Sequence, residues 1–219
     1  MTIFIAVYLI ALICYLFTRV SDRKLWRAVN KYIMATMYLV LAFVVFFRNY
    51  EFVSYQTLLM AALILAWLGD VFLVFDFGRG GDFFLAGNIC FSLYEMIVLV
   101  ANEHGWKDFI WAPCIAAAML IAFIIACQLR PDVFKLGKMR WPMTFYLSSI
   151  FTHGLMGVAL MVLLPGTNYA MMGLGSFLFM ISDMILTAYN FVFGKNKWLI
   201  RANSITYFTG LLLIVLSTV

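Results

Sequence analysis

Apolar residues run along this chain in eight blocks, at about 2–18, 32–47, 55–76, 83–101, 109–129, 142–164, 169–193 and 202–218. A helix needs about 20 apolar residues to cross a bilayer, and the blocks show none of the strict alternation expected of barrel strands. The breaks between blocks are made of Gly, Pro and charge. FGRGG separates the third and fourth, RPDVFKLGKMR the fifth and sixth, PGTN the sixth and seventh, and GKNKWLIR the seventh and eighth. The pattern predicts an all-α polytopic membrane helix bundle with eight transmembrane helices, forming one domain over residues 1–219. It implies an integral, multi-pass membrane location, which in a bacterium would be the inner membrane. The first block lacks a basic leader and an A-x-A cleavage site, and it ends in RVSDRKLWR, so it reads as a retained helix and not a signal peptide.

Composition sharpens this picture. Hydrophobic residues make up 66% of the chain and charged residues only 11%, against roughly 25% charged in a soluble domain. No polar stretch is long enough for a soluble domain beside the membrane part. The net charge of +5 is not a nucleic-acid signature, because most Lys and Arg lie in short connections. Thirteen of the 15 fall in the first, third, fifth and seventh connections, leaving Arg48 and Lys107 for the other side. The positive-inside rule then places the odd connections in the cytoplasm and both termini outside. Cys14, Cys90, Cys114 and Cys127 all fall in apolar stretches without a CxxC pair, and read as small buried packing residues.

Two carboxylates break the apolar pattern. Asp183 lies within FLFMISDMILTAYN and Asp70 within LILAWLGDVFLVF. An ionisable side chain costs at least a few kcal/mol at the centre of a bilayer, so such residues face a bundle interior or a polar cavity and mark function. With the odd connections inside, Asp183 is about eleven residues from the cytoplasmic end of its block, or roughly 16 Å, near the midplane. Asp70 is in the cytoplasmic half.

Helical spacing gathers other polar residues into stripes. Ser176, Asp183, Thr187 and Asn190 share a face, as do Asn88, Ser92 and Glu95. Pro142, Tyr146, Ser149 and His153 form a third stripe, and Asn203, Tyr207 and Gly210 a fourth. Four striped helices imply a hydrated cavity between them; interhelical hydrogen bonding alone accounts equally well for the Ser and Thr members. His153 reads as a hydrogen-bonded packing residue or as a site residue. With only His104 and His153 in the chain, a zinc site of three or four ligands is not expected. No P-loop, dinucleotide fingerprint or Gly-x-Ser-x-Gly elbow is present.

At these positions the chain resembles the YhhN family of membrane proteins, which includes the lysoplasmalogenases. The matching segments are Leu-Gly-Asp-x-Phe-Leu at Leu68–Leu73, the Gly-rich turn and Phe-rich helix at Gly80–Leu85, and Pro-x-x-x-Tyr at Pro142–Tyr146. Phe-x-x-Ser-Asp at Phe179–Asp183 and Tyr-Phe-x-Gly at Tyr207–Gly210 complete the ordered set. The resemblance implies hydrolysis of the vinyl ether bond of a lysoplasmalogen, giving a fatty aldehyde and a glycerophospho-alcohol, with Asp70 and Asp183 at the two acidic motif positions. No cofactor and no metal are expected. The chain departs from the family pattern at Asn88, where a histidine is expected, and at Leu211, where Gln or His is expected.

Paired aspartates also suit this chemistry on their own terms. A vinyl ether hydrolyses when a proton adds to carbon and water captures the resulting oxocarbenium ion. One carboxyl must be protonated and the other ionised, the division of labour used by glycoside hydrolases. Burial and a like-charged neighbour favour the neutral form of one member of such a pair. Asp183 is the expected acid and Asp70 its ionised partner, with Asn88, Tyr146, His153, Asn190, Asn203 and Tyr207 as candidate substrate-binding residues. The partners expected are a lysophospholipid substrate, with its phosphate near Arg79, Arg140 or Arg201, and membrane lipid; no nucleic acid is expected. An intramembrane aspartyl protease is disfavoured because Trp67 stands at the first Gly of its Gly-x-Gly-Asp motif. The alternative is a non-catalytic lipid-binding or transport protein, against which the lack of an evident inverted repeat weighs mildly.

Overall fold

The computed structural model describes residues 2–20, 23–48, 56–75, 80–134, 136–194 and 196–218, with the side chains of Lys24 and Arg48 set aside. Among the described residues there is no strand. The helices are α1 (Thr2–Thr18), α2 (Lys24–Arg48), α3 (Gln56–Val74), α4 (Gly80–Ala101), α5 (Trp106–Phe109), α6 (Trp111–Leu129), α7 (Arg140–Leu163), α8 (Asn168–Phe191) and α9 (Lys197–Leu216). Seven segments are long and apolar enough to cross a membrane, with α5 and α6 acting as one of them over Trp106–Leu129. The eighth apolar helix, α1, has 17 residues, about 25 Å of rise and the short end of the spanning range.

Helix ends follow local chemistry. The Asn196 side chain accepts a hydrogen bond from the Trp198 amide at 2.8 Å and starts α9. Asp108 accepts one from the Gly105 amide at 2.8 Å at the start of α5. Gly166 and Gly194, two residues past the C-caps Leu164 and Val192 of α7 and α8, adopt φ of 74° and 78°, a left-handed conformation that glycine takes without a Cβ clash as the chain leaves each helix. The second helix begins eight residues before its apolar block. Leu25, Trp26 and Val29 continue its apolar face, while the polar residues Arg27, Asn30 and Lys31 interrupt the run that marks the block.

The helices pack as a closed ring in the order α2, α3, α4, α7, α8, α9, with α9 returning to α2. Helix α1 lies outside against α2 and α9, and α6 lies outside against α7. This placement corrects the reading of two cysteines. Cys14 on α1 and Cys114 on α6 are exposed, because the outer helices turn one side away from the bundle; Cys127 is buried as expected.

Glycines let the α7–α8–α9 side of the ring close tightly. A Cβ on Gly210 would stand 2.7 Å from the Gly175 carbonyl oxygen, so α8 and α9 touch backbone to backbone there. Gly210 therefore lies in a helix interface and not on the cavity-lining stripe expected of it. Next to it, Asn203 Nδ2 donates to the Ser182 carbonyl and hydroxyl at 2.8 Å each, and Ser182 donates back to the Asn203 carbonyl at 3.2 Å. These contacts fix the heights of Asp183 and Tyr207 relative to each other.

The charge asymmetry yields a prediction for orientation. Lys138 and Asn102 are both exposed, at opposite ends of the bundle. In a background with the four native cysteines replaced by alanine, Lys138→Cys is expected to resist an impermeant thiol reagent in intact cells, and Asn102→Cys to react. The reverse pattern would invert the topology.

Candidate active site

The ring encloses a cavity of about 720 Å³ toward its Lys- and Arg-rich end. Exposed residues at its rim come from the starts of α4 and α7 and the end of α8, namely Gly81, Asp82, Met139, Pro142 and Asn190. Its depth is lined by Asp70, Asp183, Tyr146 and Tyr207, with Lys31 from α2, and Arg19, just past the end of α1, is in its wall. Helices α3 and α8 stand across the ring from each other, so their aspartates meet through the cavity and not through a helix interface.

The two carboxyl groups have different partners. Asp70 is 2% exposed. One of its oxygens accepts an ion pair from Lys31 Nζ at 2.9 Å, and the other accepts a hydrogen bond from the Tyr207 hydroxyl at 2.7 Å. Asp183 is 4% exposed and accepts from the Tyr146 hydroxyl at 2.8 Å. No ion pair reaches Asp183 among the described residues. Tyr207 is held edge-on by Phe208, at 4.9 Å between centroids, and tilted against Phe179 at 5.1 Å. Thr187, one turn along α8, spends its hydroxyl on the Asp183 carbonyl at 2.8 Å and closes the wall beside it.

The cavity brings together six of the eight residues singled out from the sequence: Asp70, Asp183, Tyr146, Asn190, Asn203 and Tyr207. Asn88 and His153 are not in its lining. They lie in a second polar cluster, where α4 and α7 pack together. There Glu95 and His153, both fully buried, pair through Oε2 and Nδ1 at 3.2 Å. Asn88 donates to Ser149 at 3.4 Å, and Phe91 stacks on the His153 ring at 4.8 Å. Phe179 touches His153 on one side and Tyr207 on the other, so one aromatic ring divides the two clusters. Leu211, one turn beyond Tyr207, is fully buried.

Of the arginines expected near a phosphate, Arg140 and Arg201 are not in the cavity lining, and Arg201 instead lies over the Trp198 ring at 5.7 Å. Arg79 lies outside the described residues. Among those described, no group of three or more His, Cys, Asp or Glu is placed to hold a metal ion.

A model of the YhhN family matches residues 26–218, nearly the whole of this architecture. The chain belongs to the YhhN family. No curated protein and no solved structure gives a significant match. The matched residues of this YhhN protein include both aspartates and both of their tyrosine partners, and they exclude α1.

Lys31 escaped the sequence reading. It borders the second apolar block and counts there as a connection charge, yet it sits two turns inside α2 and points to Asp70. One signal was available: a carboxylate expected within a membrane span calls for a cation at matching depth, and Lys31 is the basic residue nearest the start of the neighbouring apolar block.

Proposed function

We propose that this YhhN protein is a membrane hydrolase that cleaves the vinyl ether bond of a lysoplasmalogen. The observation that carries the reading is the unequal pairing of two buried aspartates around one cavity. Asp70 has a cation and a hydroxyl donor, which suits a permanent carboxylate. Asp183 has a phenol, which suits a carboxyl that gives and takes a proton.

In the reaction, Asp183 delivers its proton to the outer carbon of the vinyl ether. The double-bond electrons form the new C–H bond, and the carbon attached to oxygen becomes an oxocarbenium ion. Asp70 supplies negative charge across the cavity from that cation. Water adds to the cationic carbon and returns a proton to Asp183. The resulting hemiacetal then breaks its bond to the glycerol oxygen, which takes up a proton from Asp183 while the hemiacetal hydroxyl gives its own proton up to water, releasing the aldehyde and the glycerophospho-alcohol. A cavity of about 720 Å³ is in the range of small-molecule sites, and its walls of Phe84, Leu85, Leu186 and Phe208 suit an alkenyl chain.

The test is aldehyde release by detergent-purified protein from lysoplasmenylethanolamine, with the saturated 1-O-alkyl analogue as control. Release from the vinyl ether and none from the alkyl ether is the expected result. No release from any lysoplasmalogen would sink the hydrolase reading and leave a lipid-binding protein of the same fold.

A further inference from the structure

Charge balance inside the cavity leaves one group without a counterpart. Lys31 and Asp70 neutralise each other at 2.9 Å, and an Asp183 that carries a proton adds no charge. Asp82 stands at the exposed rim. That leaves Arg19, at the C-terminal end of α1, in the cavity wall. Its guanidinium lies beside the Tyr15 and Tyr189 side chains, both of them buried. Its Nε is buried and has no hydrogen-bond partner. No carboxylate pairs with Arg19 among the described residues. Arg19 as a whole is only partly buried, but a guanidinium N–H shut away from water with no acceptor is a poor arrangement unless an anion completes it, and the planar fork fits the oxygens of a phosphate.

We propose that Arg19 binds the phosphate of the single-chain phospholipid that occupies the cavity. This inference rests on the vinyl ether hydrolase reading for the identity of that lipid. It assigns the headgroup to α1, a helix outside the family-matched residues 26–218. It also sets the direction of the ligand. The phosphate lies at the basic end beside Arg19, and the glycerol and vinyl ether lie deeper, between Asp70 and Asp183. The chain continues along Phe84 and Phe208.

The test separates binding from turnover. Affinities of the wild type are measured in detergent for a 1-O-alkyl lysophospholipid and for the matching 1-O-alkylglycerol, neither of which holds a vinyl ether. The phosphate-bearing ligand is expected to bind at least about tenfold more tightly, the contribution of one charge-assisted hydrogen bond. Arg19→Gln is expected to remove that difference, and Arg19→Lys, which keeps the charge, to retain part of it. In turnover, Arg19→Gln is expected to lower by a similar factor the kcat/KM preference for lysoplasmenylethanolamine over 1-O-alkenylglycerol, mainly through KM. Equal wild-type affinity for the two alkyl ethers overturns the proposal without any variant. So does a preference that survives in Arg19→Gln. Inorganic phosphate competing at the concentrations effective for the lysolipid would make the occupant a free anion and overturn the headgroup assignment. Absence of aldehyde release, by contrast, would defeat the hydrolase reading while the binding comparison still decides the role of Arg19.

Discussion

Asp183→Asn is expected to lower aldehyde release by 10²–10⁴-fold or more, the usual contribution of a general acid. Asparagine keeps the shape of the side chain and can still accept from the Tyr146 hydroxyl, which donates to Asp183 at 2.8 Å in the wild type. It has no acidic proton to give to carbon. Melting temperature in detergent is expected to stay close to wild type, because the phenol keeps an acceptor and Asp183 has no ion pair to lose among the described residues. Wild-type turnover by Asp183→Asn would remove Asp183 from the mechanism. Asp70→Asn is expected to lose activity by a different route, through loss of the negative charge beside the forming cation.

Lys31→Met is expected to have the larger effect on stability. It leaves Asp70, 2% exposed, without its cation. Removing one partner of a buried pair costs about 3–5 kcal/mol. The cost here falls below that range, since the Lys31 side chain is 17% exposed and Tyr207 still donates to the carboxylate. A melting temperature lowered by several degrees is the measurement, together with loss of turnover. The double variant Lys31→Met/Asp70→Asn removes the stranded charge and is expected to recover much of the melting temperature without recovering activity. A Lys31→Met protein with wild-type melting and turnover would mean that the ion pair supports neither fold nor chemistry.

Much of this architecture was legible in the sequence because the bilayer imposes one strong rule. Apolar blocks must be helices, and their ends are marked by Gly, Pro and charge. The seventh block, 169–193, and α8, Asn168–Phe191, differ by one or two residues at each end. The second block failed at its start because Lys31 belongs to the helix and not to the connection. The two aspartates were legible for the same reason: a carboxylate in an apolar run has few tolerable surroundings. The polar stripes were harder. Periodicity gives the face on which Asn88, Ser149 and His153 lie, but not what stands opposite. In the ring, α4 and α7 pack on each other, so the part of their shared face away from the basic end closes around the Glu95–His153 pair and only the part at the basic end opens to the cavity. Arg19 and Lys31 entered the count as topology charges, and only the packing of α1 and α2 against α9 brings Lys31 to Asp70 and Arg19 into the cavity wall.

The phenylalanine between the two polar clusters has an electrical consequence. The cavity reaches in from the basic face as far as Asp183, about eight residues from the end of α8 and roughly 12 Å deep. Beyond it, Phe179 and Phe91 surround His153 and close the path. A polar recess is at nearly the potential of the solution it opens to, so the transmembrane voltage falls mainly across the closed remainder. Moving an elementary charge through the whole field is worth about 2.3 kcal/mol per 100 mV. A proton reaching Asp183 from the basic side crosses almost none of it, so turnover is expected to run at the same rate in energised and de-energised membranes.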